Sequence, residues 1–225
     1  LVLCACLSTE APDGPPPLCD AELFVGADLG LEDGIELVVD EAHIVLGDFA
    51  LFGTNIADDS LVARAVWMLK GLLLPRALAH AGHAHGESEL SGVFEETKTF
   101  VLFPETGGSI QAEIESGHYY DGRVRIGGLE GAPAFAIGGT MSAEGLPYDI
   151  SASLELDSTV AGLEFGMDVL PDIDNCLVLE VALGKILSKL DLPVLADELG
   201  QITIHDESDP GYSEIKIGLK DRLNY

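Results

Sequence analysis

The most distinctive chemical group of this sequence is a set of three histidines within six residues: His80, His83 and His85. Neutral imidazole offers a nitrogen lone pair near neutral pH, which makes histidine the commonest metal-binding side chain. The residues between the three are small and leave the backbone free to fold them around one ion. The spacing therefore predicts a site for a transition metal, Zn²⁺ or Cu²⁺, with water or a carboxylate completing the coordination.

Two further histidines are candidates for the same site. His118 begins a strand-like segment beside two tyrosines, and His43 lies in an apolar segment with alternating pattern. We expect His118 or His43 to supply a fourth ligand. The competing interpretations are a core or edge position in a strand for His43, and a polar loop with incidental histidines for residues 80–85.

Acidic clusters offer a second candidate for metal binding, because Ca²⁺ prefers oxygen ligands. Neither of two such clusters has the spacing of an EF-hand loop, so we favour ordinary solvated loops and treat Ca²⁺ as the less favoured metal. The clusters are Asp172, Asp174 and Asn175, and Asp206, Glu207 and Asp209.

No catalytic motif is found in the sequence. It lacks the G-x-S-x-G, H-E-x-x-H, Walker A and G-x-G-x-x-G patterns. Cys176 lies in an apolar, strand-like segment, which is typical of a structural cysteine rather than a nucleophile. Aromatic residues make up 6% of the chain with one tryptophan, which leaves few stacking surfaces for a sugar. We therefore predict that the protein is not an enzyme.

The charge of the chain excludes one class of partner. It has 11 basic and 39 acidic residues, a net charge of −28. Such a surface repels the phosphates of nucleic acids and anionic lipid head groups, and it attracts cations. We expect no nucleic-acid partner.

The beginning of the sequence predicts export. Leu3-Cys4-Ala5-Cys6 resembles a lipobox, in which the final cysteine becomes the lipidated first residue. We interpret residues 1–6 as a signal remnant, 7–20 as a proline-rich tether and 21–225 as a single domain. This predicts a lipid anchor at Cys6 on the periplasmic or extracellular face of a bacterial membrane. A plain secretion signal or a truncated fragment is the competing interpretation.

No run of about 20 uninterrupted apolar residues is present, so no transmembrane span is expected.

Two more cysteines, Cys19 and Cys176, are expected to form a disulfide in an oxidising compartment. A bond that closes so long a loop would contribute on the order of 4 kcal/mol to stability.

The strongest helix signal lies at residues 58–74. Asp58, Asp59 and Ser60 supply capping side chains, and Pro75 ends the apolar stripe that follows. We expect this helix to cover the open end of a sheet. The alternative is that it forms a docking surface for a partner or a lipid interface.

The remainder of the chain shows strand patterns. Residues 34–52 carry two apolar runs, which predict two strands or one long bent strand. Short apolar segments bounded by turn residues predict a mostly antiparallel β-sandwich with one main helix and one or two short helices near the C-terminus. Further strands are expected at 22–28, 89–94, 98–103, 109–115, 119–127, 133–141, 147–156, 160–169, 176–182 and 201–205, and short helices at 183–190 and 212–223.

Three segments carry a family resemblance: the strand-like run 35–48, the His83-Ala84-His85 sequence, and the run 114–126 with its Gly-x-Tyr element and basic strand. They resemble bacterial exported β-sandwich lipoproteins and are loosely similar to MbnP-like periplasmic metal-binding proteins. The resemblance implies an exported, metal-associated sandwich. The tryptophan-rich segments of that group are missing here, so it does not imply copper in particular.

The sequence thus predicts an exported, lipid-anchored protein that binds Zn or Cu through a His-rich loop. Its affinity should fall below about pH 6 as the imidazoles become protonated. The alternative is a structural or adhesive surface component that assembles through the 58–74 helix or through sheet edges. An oligomer that depends on concentration and ignores a chelator would favour that alternative.

Overall fold

The computed structural model leaves several predicted features outside the residues it describes. Among them are the histidines of the 80–85 cluster, the 58–74 helix and Cys6, so those predictions stay predictions. The described residues are 17–30, 35–54, 90–104, 108–221 and 223–224.

Strands dominate the described residues, and the three helices among them are short. The helices are α1 (Leu183–Leu187), α2 (Leu192–Leu195) and α3 (Tyr212–Asp221). The strands are β1 (Leu18–Ala27), β2 (Ile35–Thr54), β3 (Leu90–Phe94), β4 (Lys98–Phe103), β5 (Ser109–Glu115), β6 (Gly117–Gly127), β7 (Phe135–Ala143), β8 (Leu146–Leu154), β9 (Asp157–Ala161), β10 (Met167–Val169), β11 (Asn175–Val181), β12 (Gln201–Ile204) and β13 (Leu223–Asn224).

The strands form two sheets, which confirms the mostly β fold. The small sheet has the order β13-β11-β1-β5, and the large sheet has the order β10-β6-β2-β7-β8-β12, with β3 and β4 also paired to β2 and β9 paired to β6. Two pairings among the described strands, β1 with β11 and β8 with β12, are parallel. The other pairings among the described strands are antiparallel, which confirms the expected mostly antiparallel arrangement.

Residues 35–54 form one long strand, the second of the two predicted alternatives. This strand, β2, pairs with β7 over its first half and with β6 over its second half. Its ladder with β6 shifts register between Gly47 and Ala50 and again between Phe52 and Gly53. Such bulges increase the local twist and bend a strand, so a single strand can pair with two others in succession.

One hydrophobic core joins the two sheets. Strand β1 alternates buried and exposed residues from Cys19 onward, and β11 does the same from Asn175 onward. This period of two sends Leu23 and Leu179 into the core, where large side chains such as Phe100 are fully buried. Removal of these apolar side chains from water is the main force that stabilises the sandwich.

Several element bounds correct the sequence predictions. Strand β1 begins at Leu18, so the last residues of the predicted tether belong to the sheet. The predicted strand 160–169 is two strands, β9 and β10, and the predicted helix 183–190 is the shorter α1. Within the described part of the chain, no helix is both long and apolar enough to cross a membrane.

Candidate functional site

His118 occupies an outward-facing position at the beginning of β6. On one side it pairs with Thr54, the last residue of β2, and on the other with Asp168 of β10. Its ring Nδ1 lies 2.7 Å from the Asp168 Oδ1 atom. The two side chains are 31% and 46% exposed, so solvent and solutes reach the pair. No local pattern in the sequence indicates Asp168 as a partner of His118, because the two lie 50 residues apart along the chain.

Alternation along β6 explains why His118 faces outward. Tyr119 points into the core, is fully buried, and donates a 2.8 Å hydrogen bond from its hydroxyl to the Glu115 carbonyl oxygen. His118 and Tyr120 then point to the opposite face, with their ring centroids 6.4 Å apart. Tyr119 thus anchors the strand position that presents the histidine.

Gly53 allows β2 to approach the histidine strand closely. A Cβ atom at residue 53 would overlap the carbonyl oxygen of His118, so only glycine fits at this approach. Gly53 pairs with Tyr119 on β6 and also with Leu90 on β3. Thr54 and Leu90, the described residues on either side of the segment 55–89, therefore lie close to His118: Thr54 is its partner in β2, and Leu90 is on β3, the strand that pairs with β2 at Gly53.

Burial raises the pKa of Tyr119 to about 12, and the Glu115 carboxylate adds to the shift. In the unfolded chain the phenol ionises near pH 10. The raised pKa of Tyr119 therefore stabilises the folded protein fully below pH 10. This stabilisation is lost as the pH rises from 10 towards 12, because the phenol ionises in the unfolded chain before it ionises in the folded protein. We expect this loss to amount to about 2 kcal/mol of unfolding free energy for the wild-type protein.

Urea denaturation at pH 9, 10, 11 and 12 measures this loss. Tyr119→Phe should flatten the decline between pH 10 and 12 and leave the part due to Tyr212, whose pKa is also raised by burial. Tyr120→Phe, which removes an exposed phenol from the next position of the strand, is the matched control. A slope for Tyr119→Phe equal to that of the wild type would contradict the assignment.

His43 is separated from His118 by the length of β2. It pairs with Val101 of β4 and Ala136 of β7, and it lies eleven positions from Thr54, the partner of His118. At about 3.3 Å per residue, and allowing for bends, the separation is on the order of 30 Å. Two ligands of one ion cannot be that far apart, so His43 and His118 cannot serve the same site.

The acidic loop before α3 is ordered by its own hydrogen bonds. Asp206 Oδ1 accepts from the backbone N–H and the hydroxyl of Ser208, and Asp209 Oδ2 accepts from the backbone N–H groups of His205 and Asp206. These bonds lower the pKa of both carboxyls. Among the described residues, no group of three or more His, Cys, Asp or Glu side chains has a geometry that could hold a metal ion.

The expected disulfide between Cys19 and Cys176 does not form, and both thiols are free. Cys19 is buried and Cys176 is exposed, so they point to opposite faces of the small sheet. The register places Glu22, not Cys19, beside Cys176, which offsets the cysteines by about 10 Å along the strands. Disulfides need Cα atoms within about 7 Å. Burial raises the pKa of the Cys19 thiol, with Asp172 and Asp20 adding to the shift.

A cavity of about 1320 Å³ lies on the outer face of the small sheet. We call it the acidic trough and define it by residues 18–22 of β1, 111–113 of β5 and the stretch 170–176 that leads into β11. No local pattern in the sequence indicates this cavity, because its three parts are distant along the chain. The Asp172/Asp174/Asn175 cluster lies in its wall.

Asn175 holds that wall in place. Its Oδ1 accepts a 3.0 Å hydrogen bond from the Leu170 N–H, and its Nδ2 donates to the carbonyl oxygens of Asp20, Leu170 and Ile173 at 3.0–3.2 Å. Asn175 is only 5% exposed. A buried amide whose nitrogen and oxygen are both hydrogen-bonded fixes the loop against β1.

No family model matches this chain, and no match was found among curated protein sequences or among solved structures. The resemblance to exported lipoproteins and MbnP-like proteins therefore rests on the sequence segments alone and stays a prediction.

Proposed function

We propose that this protein binds a transition metal, Zn²⁺ or Cu²⁺, through His80, His83 and His85, with His118 as a further ligand. The observation that carries the proposal is the His118–Asp168 pair beside Thr54, the described residue that precedes the histidine-containing segment 55–89. His43 has no part in it, because of its distance from His118.

The chemistry of the pair suits a metal ligand. A neutral imidazole that donates its Nδ1–H to the Asp168 carboxylate carries its lone pair on Nε2, the atom that binds a metal. Metal-binding histidines commonly donate their second N–H to a carboxylate, which fixes the tautomer and raises the basicity of the ligand nitrogen. The His118 side chain is 31% exposed, so a metal ion in solution can reach it.

Chain length permits the histidine cluster to reach His118. Leu90 and Tyr119 flank Gly53 on neighbouring strands, so about 10 Å separates their backbones. His85 precedes Leu90 by five residues, which span at most about 17 Å when fully extended. The net charge of −28 further favours cations near the surface.

The proposal predicts strong, pH-dependent metal binding. We expect near-stoichiometric Zn²⁺ or Cu²⁺ binding in calorimetric titrations of untagged protein at pH 7.5, and loss of affinity below about pH 6. The triple variant His80→Ala/His83→Ala/His85→Ala should lose the site. His118→Ala should weaken binding at least about tenfold, because removal of a ligand costs no less than removal of an outer-shell partner.

His205→Ala is the matched control, since His205 is exposed and lies in a different loop. If the His118→Ala and His205→Ala variants bind the metal with equal affinity, His118 is not a ligand. No binding by the wild-type protein, or binding that does not change with pH, would overturn the proposal. In that case the surface-assembly alternative is tested by its oligomeric state with and without a chelator.

Export and lipid anchoring through Cys6 belong to the same proposal. The sequence Leu3-Cys4-Ala5-Cys6 and the proline-rich residues after it support it. Mass spectrometry of the mature N-terminus from membrane fractions tests for the acylated cysteine.

A further inference from the structure

We propose that the acidic trough is a docking site for a cationic, amphipathic polypeptide segment of a partner protein, in which basic residues alternate with apolar ones. The proposal is independent of metal binding. It rests on the shape of the trough, on the mixture of side chains that line it, and on the complementary charge that these side chains require.

The floor of the trough is the solvent face of three strands. Asp20 pairs with Glu113 of β5, and Glu22 pairs with Gln111 of β5 and with Cys176 of β11. Paired residues point to the same side of a sheet, so these side chains form one polar surface. The loop 170–174 borders this face and forms the wall of the trough.

The wall adds exposed apolar side chains to this surface. The loop before Asn175 carries Asp172 and Asp174 on its exposed side, and between them Ile173 is 54% exposed. Leu18 at the end of the floor is 63% exposed. Large apolar side chains at a concave surface favour an occupant that also brings apolar groups.

The charge of the residues that line the trough favours a positively charged occupant. Five of the 15 lining residues are acidic and none is basic, whereas 39 of 225 residues are acidic in the whole chain. The trough is therefore about twice as acidic as the chain as a whole. A positively charged partner is attracted to it, and a second copy of this chain, with its own charge of −28, is repelled.

The spread of the carboxylates favours a polypeptide over a single ion. No three acidic side chains of the described residues converge in a way that could hold a metal. The volume of about 1320 Å³ also exceeds the roughly 300–1000 Å³ of small-molecule pockets. Several spaced charges over a long surface match the spaced basic side chains of an extended or helical segment.

A fluorescent ten-residue peptide of alternating lysine and leucine serves as the probe, with fluorescence anisotropy as the readout. Glu113→Gln/Asp172→Asn/Asp174→Asn should weaken its binding about tenfold or more. Glu36→Gln/Glu164→Gln/Glu198→Gln removes the same number of exposed carboxylates elsewhere and should change the affinity less than about twofold. Equal weakening by both variants would overturn the proposal, because it would indicate general attraction to an acidic protein.

The exposed thiol of Cys176 reports occupancy of the trough in the wild-type protein. A saturating peptide should slow its alkylation by iodoacetamide about tenfold, as quantified by peptide mass spectrometry, because the thiol lines the trough. No protection would place the peptide elsewhere and overturn the assignment. Spermine is tested in the same way. If spermine binds as tightly as the peptide, the trough binds small cations and the assignment to a polypeptide is overturned. Since metal binding is not involved, these outcomes are distinct from failure of the proposed function.

Discussion

Asn175→Asp is expected to lower the free energy of unfolding by about 3–5 kcal/mol at pH 7. In the wild-type protein the Nδ2 group donates to three carbonyl oxygens in a site that is only 5% exposed. A carboxylate would place a negative oxygen against those carbonyls. The penalty for burying a charge without a partner is large, and the nearby Asp20 and Asp172 increase it.

Urea denaturation at pH 7 and pH 4 measures the effect. The loss should be smaller at pH 4, because a protonated carboxyl is neutral and donates one hydrogen bond. Asp174→Asn makes the reverse substitution at the neighbouring exposed position and should change stability by less than about 0.5 kcal/mol. A loss below about 1 kcal/mol for Asn175→Asp would show that the amide does not hold the loop.

Gly127→Ala is expected to lower the free energy of unfolding by about 4 kcal/mol or more. Gly127 has a φ of +93°, in the left-handed region, and a Cβ atom there would overlap the carbonyl oxygen of Leu156. The obstacle is backbone, which cannot rotate away as a side chain can. The ladder between β6 and β9 must then open at the Gly127–Asp157 pair.

Gly131→Ala is the matched control for backbone strain. Gly131 also has a positive φ, +76°, but a Cβ atom at this position meets nothing within 4 Å. Gly131→Ala should lower the free energy of unfolding by about 1–2 kcal/mol, which is the penalty for the left-handed backbone conformation alone. Urea denaturation of both variants separates the two contributions. Equal losses would mean that the Leu156 contact relaxes without cost.

Local patterns in the sequence were sufficient to locate most strands. The predicted bounds of β4 and β5 coincide with the observed ones, because each is a short alternating run between turn residues. The alternation of buried and exposed residues also indicates that Cys19 and Cys176 do not face each other. Cys176 shares its face with Glu180, and Cys19 shares its face with Leu23, so the sequence already placed the two thiols on opposite sides.

The candidate sites depended on information that local patterns do not carry. A period of two specifies which residues face the core, but it does not specify which strands become neighbours. The pairing of β6 with β10 brings Asp168 to His118 across 50 residues. Nothing in the sequence around either residue indicates that contact.

The sequence by itself determined the class of the fold, the inward and outward faces of its strands, and the residue types available for chemistry. The tertiary structure alone decided that His118 has a carboxylate partner, that His43 lies too far away to join it, and that three distant segments form the acidic trough. The physical reason is that side-chain alternation is a local property, whereas strand order and register follow from how the whole core packs.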